Sequence, residues 1–186
     1  MMDSFVEQIV VKKSETKDNL KRFGLVVVGS ILCFLFMVVP MMIPALAPFL
    51  FFFVLIAFGI IFGAWVLIQG TFIEYEYIVT NNELDIDKII ARKRRKRLIT
   101  IKINKAEDWG TYTAGKENSA LVTVQAHDCS YVNLWYIIAV HERHGKTAVL
   151  FSPNRAVLEA VNKSVPYSLR KKELKKEEKI ENEEEN

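Results

Sequence analysis

A long uncharged apolar segment is the feature that most restricts what this chain can fold into. From Phe23 to Gln69 the sequence contains no Asp, Glu, Lys, Arg or His. A soluble domain cannot bury an unbroken apolar segment of that length, whereas a lipid bilayer needs about 20 apolar residues for one helical span. The segment is long enough for two spans, and we expect it to lie in the cell membrane.

Proline residues divide this apolar segment into two parts. Proline is poorly tolerated inside a helix, and three prolines occur close together near the middle, Pro40, Pro44 and Pro48. We therefore predict two antiparallel transmembrane helices, over residues 23–39 and 49–69, joined by a short uncharged loop. The whole predicted hairpin covers residues 23–70.

The basic residues on either side of the hairpin predict its orientation. The loop contains none, a dense cluster follows the second span, and five precede the first span: Lys12, Lys13, Lys17, Lys21 and Arg22. Moving one Arg or Lys to the middle of a bilayer costs about 2.5–3.5 kcal/mol. The positive-inside rule therefore predicts a multi-pass membrane protein with both termini in the cytoplasm.

Small residues in the two spans predict how the helices pack. Gly59 and Gly63 form a GxxxG pair on the second span, and Gly29 and Cys33 are four residues apart on the first. Small side chains at this spacing let helix backbones approach closely. We predict that these four residues pack the hairpin on itself rather than forming a dimer.

Residues 1–22 are predicted to form a cytoplasmic N-terminal segment. Within residues 2–13, apolar side chains recur at helical spacing, at Phe5, Val6, Ile9 and Val10. This spacing favours a short amphipathic helix lying on the inner membrane face. An irregular cytoplasmic tail explains the same segment equally well.

The sequence changes after Gly70 to a pattern that is typical of strands. Ile73 and Tyr75 alternate with acidic residues, which is a period of two. Asn81 and Asn82 suit the positive φ angles of a tight hairpin turn. We predict about six strands, which lie within residues 71–80, 83–90, 98–103, 120–126, 134–140 and 147–151.

A helix and a charged tail are predicted to follow the strands. The segment NRAVLEAVNK, residues 154–163, has an apolar face, and Ser152 and Pro153 suit an N-cap and a first helical position. Strands and helix together form a predicted domain over residues 71–165. Residues 166–186 have few apolar side chains and many charges, so we expect a flexible tail.

Two stretches of the domain resemble bacterial pleckstrin-homology-like (PH-like) membrane proteins. YIVTNNEL, residues 77–84, is similar to the strand–turn–strand opening of that family, and FSPNRAVLEAVNK, residues 151–163, to its last strand and closing helix. The chain is also similar to small two-span membrane proteins of Gram-positive bacteria. The resemblance implies an α+β protein: a transmembrane helical hairpin, then a cytoplasmic PH-like antiparallel β-barrel or sandwich capped by a C-terminal helix.

A basic run between two predicted strands is the candidate binding site. The resemblance implies that an early basic hairpin loop receives a phosphorylated headgroup, and each Lys or Arg near an anionic membrane surface contributes about 1 kcal/mol. We expect anionic phospholipid headgroups, or another anionic ligand at the inner leaflet, to bind seven residues: Lys88, Arg92, Lys93, Arg94, Arg95, Lys96 and Arg97. A solvated turn that only enforces topology is the open alternative.

A protein scaffold is the second functional interpretation. In it, the domain presents a strand edge or a groove to a partner protein, as an accessory subunit of a membrane complex, and the basic run serves only topology. Tyr131, Trp135 and Tyr136 are the aromatic residues that could serve such a surface.

Catalysis and nucleic-acid binding are not expected. The candidate chemical clusters are His127-Asp128-Cys129 and the pair His141 and His144, and neither matches a known catalytic or zinc-binding spacing. The basic run is short and lacks interleaved aromatic residues, so nucleic acid is not an expected partner. We predict no enzyme activity, no metal and no cofactor.

Overall fold

The computed structural model describes residues 5–115, 119–130 and 133–171. The chain divides into two compact units. The helical unit consists of Ser14–Ile73 and Ile90–Lys93, and the β unit consists of Met1–Lys13, Glu74–Ile89 and Arg94–Asn186. Each unit is described by itself.

The helical unit contains α1 (Thr16–Met42), a short 3₁₀ helix (Pro44–Phe49) and α2 (Leu50–Gln69). Both long helices have the length and apolar composition needed to cross a membrane. Helix α1 continues past Pro40, whereas the sequence predicted that it ends at residue 39. A proline this close to a helix end removes few backbone hydrogen bonds, so the last turn persists.

Small residues bring α1 and α2 together, and of the predicted glycines Gly29 is at this contact. A Cβ atom added to Gly29 would lie 3.5 Å from the Ala64 Cβ, and Ala57 is the buried residue of α2. In contrast, a Cβ added to Gly59 or Gly63 would meet no atom within 4 Å. The structure therefore places Ala64 of α2 against Gly29 and leaves the glycine pair of α2 without a close neighbour; Cys33 lies one turn from Gly29 and is partly buried.

Among the described residues, the β unit contains two four-stranded sheets and one α-helix. The first sheet has the order β1–β2–β3–β4, and the second has the order β5–β7–β8–β6. The two sheets do not close into a barrel; they form a PH-like sandwich, as the predicted fold class allows. The bounds are β1 Val6–Val11, β2 Ile73–Thr80, β3 Glu83–Ile90, β4 Arg94–Lys102, β5 Ala106–Thr111, β6 Val122–Ala126, β7 Trp135–His141, β8 Gly145–Phe151 and α3 Arg155–Ser164.

The N-terminal segment is a strand, so both interpretations of residues 2–13 are wrong. Strand β1 pairs antiparallel with β2, from Val6 opposite Val79 to Val11 opposite Glu74. Its side chains alternate between half-buried and exposed along the whole strand. β-branched residues favour a strand when an edge is available for pairing, and this tertiary pairing outweighs the short helical pattern.

The side chain of Gln8 ties β1 to the start of α3. Its amide nitrogen donates to the carbonyl of Ser152 at 3.2 Å, and its amide oxygen accepts from the backbone N–H of Asn154 at 2.6 Å. The chain before α1 and the chain after α2 are therefore parts of one folded unit.

The second sheet contains two features that the sequence did not predict. Strand β5 was missed because AEDWGT has no apolar alternation, although Ala106 and Trp109 are buried. Strand β6 pairs parallel to β8, with Val122 opposite Thr147, so this sheet is mixed. The antiparallel prediction does not hold at this pair, because β6 pairs with β8 and not with β7, the next strand in sequence.

Helix α3 and the residues after it close the β unit. Asn154 is the N-cap, and its side chain accepts from the N–H of Val157 at 2.9 Å, so the predicted cap at Ser152 is wrong. The indole of Trp109 donates to the carbonyl of Leu169 at 2.8 Å. The first residues of the predicted tail thus pack on the domain, and residues 172–186 lie outside the described residues.

Tyr77 of β2 connects the two sheets from inside the core. It is fully buried, and its hydroxyl donates to the carbonyl of Ala126 and accepts from the N–H of Ser152 at 3.2 Å. Its ring meets the Phe151 ring edge to face, with 5.8 Å between centroids. One side chain therefore links β2 to the ends of β6 and β8.

Tyr77→Phe removes that hydroxyl and with it one hydrogen-bond partner each of the Ala126 carbonyl and the Ser152 N–H. The free energy of unfolding should fall by about 1–3 kcal/mol, measured as urea unfolding of the full chain in neutral detergent. The control is Tyr167→Phe, because Tyr167 is 81% exposed, and it should change stability by less than about 0.5 kcal/mol. Equal effects would contradict a linking role for Tyr77.

Gly29→Leu and Gly59→Leu test the helix contact. Leucine at Gly29 meets Ala64 and overpacks the hairpin, which should cost about 1–3 kcal/mol. Leucine at Gly59 enters open space and should cost much less. The thermal midpoint of the full chain in neutral detergent measures both, and a larger effect at Gly59 would show that α2 packs through its glycines.

Candidate functional site

The structure divides the basic run between a turn and a strand. Ala91 and Arg92 have positive φ angles of 54° and 56°, and the N–H of Lys93 donates to the carbonyl of Ile90 at 3.1 Å. Strand β4 begins at the next residue, Arg94. The sequence predicted a basic turn, whereas four of the six cations belong to the strand.

The turn Ile90–Lys93 belongs to the helical unit, where it contacts the C-terminal end of α2 and the residues after it. The N–H of Ala91 donates to the carbonyl of Phe72 at 2.9 Å. The ammonium group of Lys93 lies 6.0 Å from the centroid of the Trp65 ring, which is the outer limit of a cation–π contact. Tryptophan is enriched where a membrane helix meets the aqueous interface, so Lys93 lies beside a residue of interfacial type.

A second cation, Arg22, contacts the same end of the helical unit. The guanidinium carbon of Arg22 lies 4.1 Å from the Phe72 ring centroid. Its Nε donates to the Thr71 hydroxyl at 2.6 Å, and its Nη1 donates to the Ser14 hydroxyl at 2.9 Å. Arg22 thus joins the start of α1 to the residues after α2, and its charge serves structure.

Two arginines of the basic run are paired with carboxylates of the neighbouring strands. Arg95 Nη2 lies 2.7 Å from Oε1 of Glu76 on β2. Arg97 Nη1 lies 2.8 Å from Oδ1 of Asp85 on β3, and Arg97 Nε donates to Asp87 on the same strand. These internal ion pairs explain how the strand tolerates part of its like charge.

The remaining strand cations are exposed and have no such partner. Within the described residues, Arg94 and Lys96 form no ion pair or hydrogen bond through their side chains. Lys93 is also exposed, and its described side-chain contact is the one with Trp65. Of the seven predicted residues, Lys88 is half-buried on β3 and Arg92 lies in the turn. Lys93, Arg94 and Lys96 are therefore the cations best placed to meet an anion.

Glu76 is the most unusual ionisable group near the run. Its side chain is fully buried, and its second oxygen, Oε2, has no hydrogen-bond partner among the described residues. Burial raises the pKa of the Glu76 carboxyl, the neighbouring Glu7 carboxyl raises it further, and Arg95 opposes both. The negative charge of Asp87 adds to the increase in the pKa of Glu76. The sequence did not single out Glu76, since it looks like an ordinary exposed residue of an alternating strand.

The chemical clusters noted in the sequence have structural contacts. The His141 and His144 rings stack at 4.9 Å, and His141 Nδ1 accepts from the Arg143 N–H at 3.1 Å. His127 Nδ1 accepts from the N–H of Cys129 at 3.0 Å. In the part of the chain that the structure describes, no group of three or more His, Cys, Asp or Glu could hold a metal ion.

Asp128 connects three segments of the β unit. It receives hydrogen bonds from the N–H of Ser130 at 3.0 Å and from the Ser152 hydroxyl at 3.2 Å, and it lies 3.4 Å from the ammonium group of Lys13. Burial acts to raise the pKa of Asp128, but the hydrogen bonds from Ser130, Lys13 and Ser152 prevail and lower it. A carboxylate that is stabilised in this way holds segments together.

The aromatic residues of the scaffold hypothesis are mostly in the core. Tyr136 is buried, and its hydroxyl donates to Asp108 at 2.8 Å. Trp135 is half-buried and lies 5.2 Å from Trp109 between ring centroids. Tyr131 lies outside the described residues.

Two apolar helices joined to a β sandwich with a closing helix define a PH-like module of the membrane-anchored kind. The sequence matches the family described as Bacterial PH-like domain over residues 2–171, and the chain belongs to that family. The match starts before β1 and ends at Lys171, so it includes the helical unit. Searches of curated proteins and of solved structures each find no match. The family resemblance is confirmed, and PH-like domains are typically non-catalytic binding modules.

Arg97→Gln and Arg94→Gln test the division of the basic run. Arg97→Gln leaves the buried carboxylate of Asp87 without its partner and should lower the free energy of unfolding by about 1–3 kcal/mol. Arg94→Gln removes the same charge from an exposed site and should change stability by less than about 0.5 kcal/mol. Urea unfolding of the full chain in neutral detergent measures both, and equal losses would contradict the division.

Proposed function

We propose that this protein is a membrane-anchored binding module that engages anionic phospholipid headgroups at the inner leaflet of the cell membrane. Three cations of the basic run make the contact, Lys93, Arg94 and Lys96. The observation that carries the proposal is the position of Lys93 beside Trp65, followed at once on β4 by two exposed cations, Arg94 and Lys96, that have no ion pair among the described residues. The sequence also predicted Arg95 and Arg97 in this contact. We exclude both, because acidic residues neutralise their charges.

The pairing of β1 with β2 supports the topology that the proposal needs. Strand β1 precedes α1 and β2 follows α2, yet the two are hydrogen-bonded neighbours in one sheet. Two strands that are hydrogen-bonded to each other cannot lie on opposite sides of a bilayer. If α1 and α2 both span the membrane, the N-terminal strand and the β unit lie on the same side. The positive-inside rule assigns that side to the cytoplasm.

Simple electrostatics supports anionic lipid as the ligand. Each cation near an anionic leaflet contributes about 1 kcal/mol, so three cations contribute about 3 kcal/mol. An anchored module needs no more than this, because the anchor keeps the local lipid concentration high. The attraction weakens within about 10 Å at 0.1 M salt, so only cations close to the headgroups take part. Lys93 meets this condition through its contact with a Trp of interfacial type.

A protein partner is the second candidate function, and one strand edge favours it. Strand β6 lies at the end of its sheet, and the adjacent Leu121 is 81% exposed. An open strand edge can receive an additional strand from another protein. In this case the basic run serves topology alone, and neutralising it would leave lipid selectivity unchanged.

A matched pair of triple variants tests the lipid proposal. Lys93→Gln, Arg94→Gln and Lys96→Gln together remove the proposed contact, and Lys105→Gln, Arg143→Gln and Lys163→Gln together remove the same charge elsewhere. The full chain is reconstituted in phosphatidylcholine vesicles with a small fraction of brominated phosphatidylglycerol or brominated phosphatidylcholine. Quenching of Trp65 reports which lipid gathers beside it, with Trp65→Phe as the blank.

The wild-type chain and the control triple should both prefer phosphatidylglycerol. The first triple should lose about a hundredfold of that preference, since three contributions of about 1 kcal/mol are removed. The preference should also weaken with added salt. An unchanged preference in the first triple would show that these cations do not bind lipid.

A further inference from the structure

We infer that the buried carboxyl of Glu76 is a proton-operated control on the basic run, which strengthens lipid binding as the pH falls. The inference rests on the proposed lipid-binding function. Deprotonated Glu76 holds the charge of Arg95 inside the β unit, and protonated Glu76 releases that charge to the lipid-facing set. The number of effective cations on the run thereby increases by one.

The geometry around Glu76 supports this role. Its side chain is fully buried, Arg95 Nη2 lies 2.7 Å from its Oε1, and its Oε2 has no hydrogen-bond partner among the described residues. A buried carboxylate with an unsatisfied oxygen is costly. Adding a proton to Oε2 removes the buried negative charge, which is the larger part of that cost. The side chain of Arg95 is 57% exposed, so its guanidinium can turn toward an external anion.

The charged groups that face Glu76 favour uptake of the proton. Strand β1 contributes the carboxyl of Glu7, β3 contributes the buried carboxyl of Asp87, and β4 contributes the guanidinium of Arg95. The two neighbouring carboxylates disfavour a negative charge on Glu76, and the one cation favours it. Arg97 does not relieve the crowding, because Asp85 and Asp87 already hold it. Burial and these neighbours raise the pKa of Glu76, so the proton binds above the usual carboxyl range.

The sign of the effect follows from linkage. Raising the pH through the pKa of folded Glu76 forms a buried charge, so the domain loses stability and the run loses one effective cation. Lowering the pH restores both. Since one cation contributes about 1 kcal/mol, the preference for anionic lipid should rise about fivefold. The same proton thus changes the stability of the domain and its attraction to the membrane.

The experiment uses the full chain in vesicles and the Trp65 quenching described above, with brominated phosphatidylglycerol against brominated phosphatidylcholine. The preference is measured from about pH 8 down to about pH 5, a pH range that lies above the usual pKa of a carboxyl group. Wild type is compared with Glu76→Gln and with the double variant Glu76→Gln, Arg95→Gln. Histidines titrate in the same range, and both variants keep them, so the double variant measures their contribution.

As the pH falls, the wild-type preference for phosphatidylglycerol should rise about fivefold more than the preference of the double variant does. Glu76→Gln should already show the raised preference at about pH 8 and respond no more to pH than the double variant does. A wild-type preference that follows the double variant at every pH overturns the inference and leaves the proposed function standing. Absence of any preference in wild type overturns the proposed function itself. Wild type and Arg95→Gln alone decide the matter if Glu76→Gln does not fold, since Arg95→Gln should abolish the rise.

Discussion

The hydrogen bonding between β1 and β2 is the constraint on which the rest of the structure depends. It makes neighbours of two strands that are separated in sequence by the entire helical hairpin. The hairpin is therefore an insertion within a sheet, and the N-terminal segment is an edge of the β unit. Gln8 strengthens this arrangement by holding the residues that begin α3. Without β1, the sheet would expose β2 as an unpaired edge, and α3 would lose a neighbour.

The second theme is the way the chain manages its own positive charge. Six consecutive cations would repel one another strongly in an isolated turn. The structure places two of them in contact with Glu76, Asp85 and Asp87, and it places one beside Trp65. The exposed cations that remain form a smaller set than the sequence suggests. Counting basic residues therefore overstates the charge available to a ligand, and the acidic residues of neighbouring strands decide by how much.

The parts of the fold that local patterns determine could be predicted from the sequence. The apolar helices, the β2–β3 hairpin with its Asn-Asn turn, and α3 all have strong local signals, and the PH-like family was recognised from them. The parts that depend on distant partners could not be predicted. Strand β1 has a helical pattern of apolar residues and β5 has no pattern. The direction of β6 follows from its pairing with β8. The same is true of the site. The basic run could be read from the sequence, whereas the pairing of Arg95 with Glu76 depends on how β2, β3 and β4 align in the sheet.

The strand order also has a consequence for biosynthesis. Strand β1 leaves the ribosome before either membrane helix, but its partner is made only after both helices have been completed. If α1 and α2 span the membrane, β1 must wait while the hairpin enters the bilayer, because chains begin to fold from the N-terminus as they emerge. In that case the sheet can close only when the chain after α2 lies on the same side of the bilayer as β1. A half-inserted molecule keeps an open strand edge, which is the kind of surface that leads to aggregation, so assembly of the domain doubles as a check on insertion.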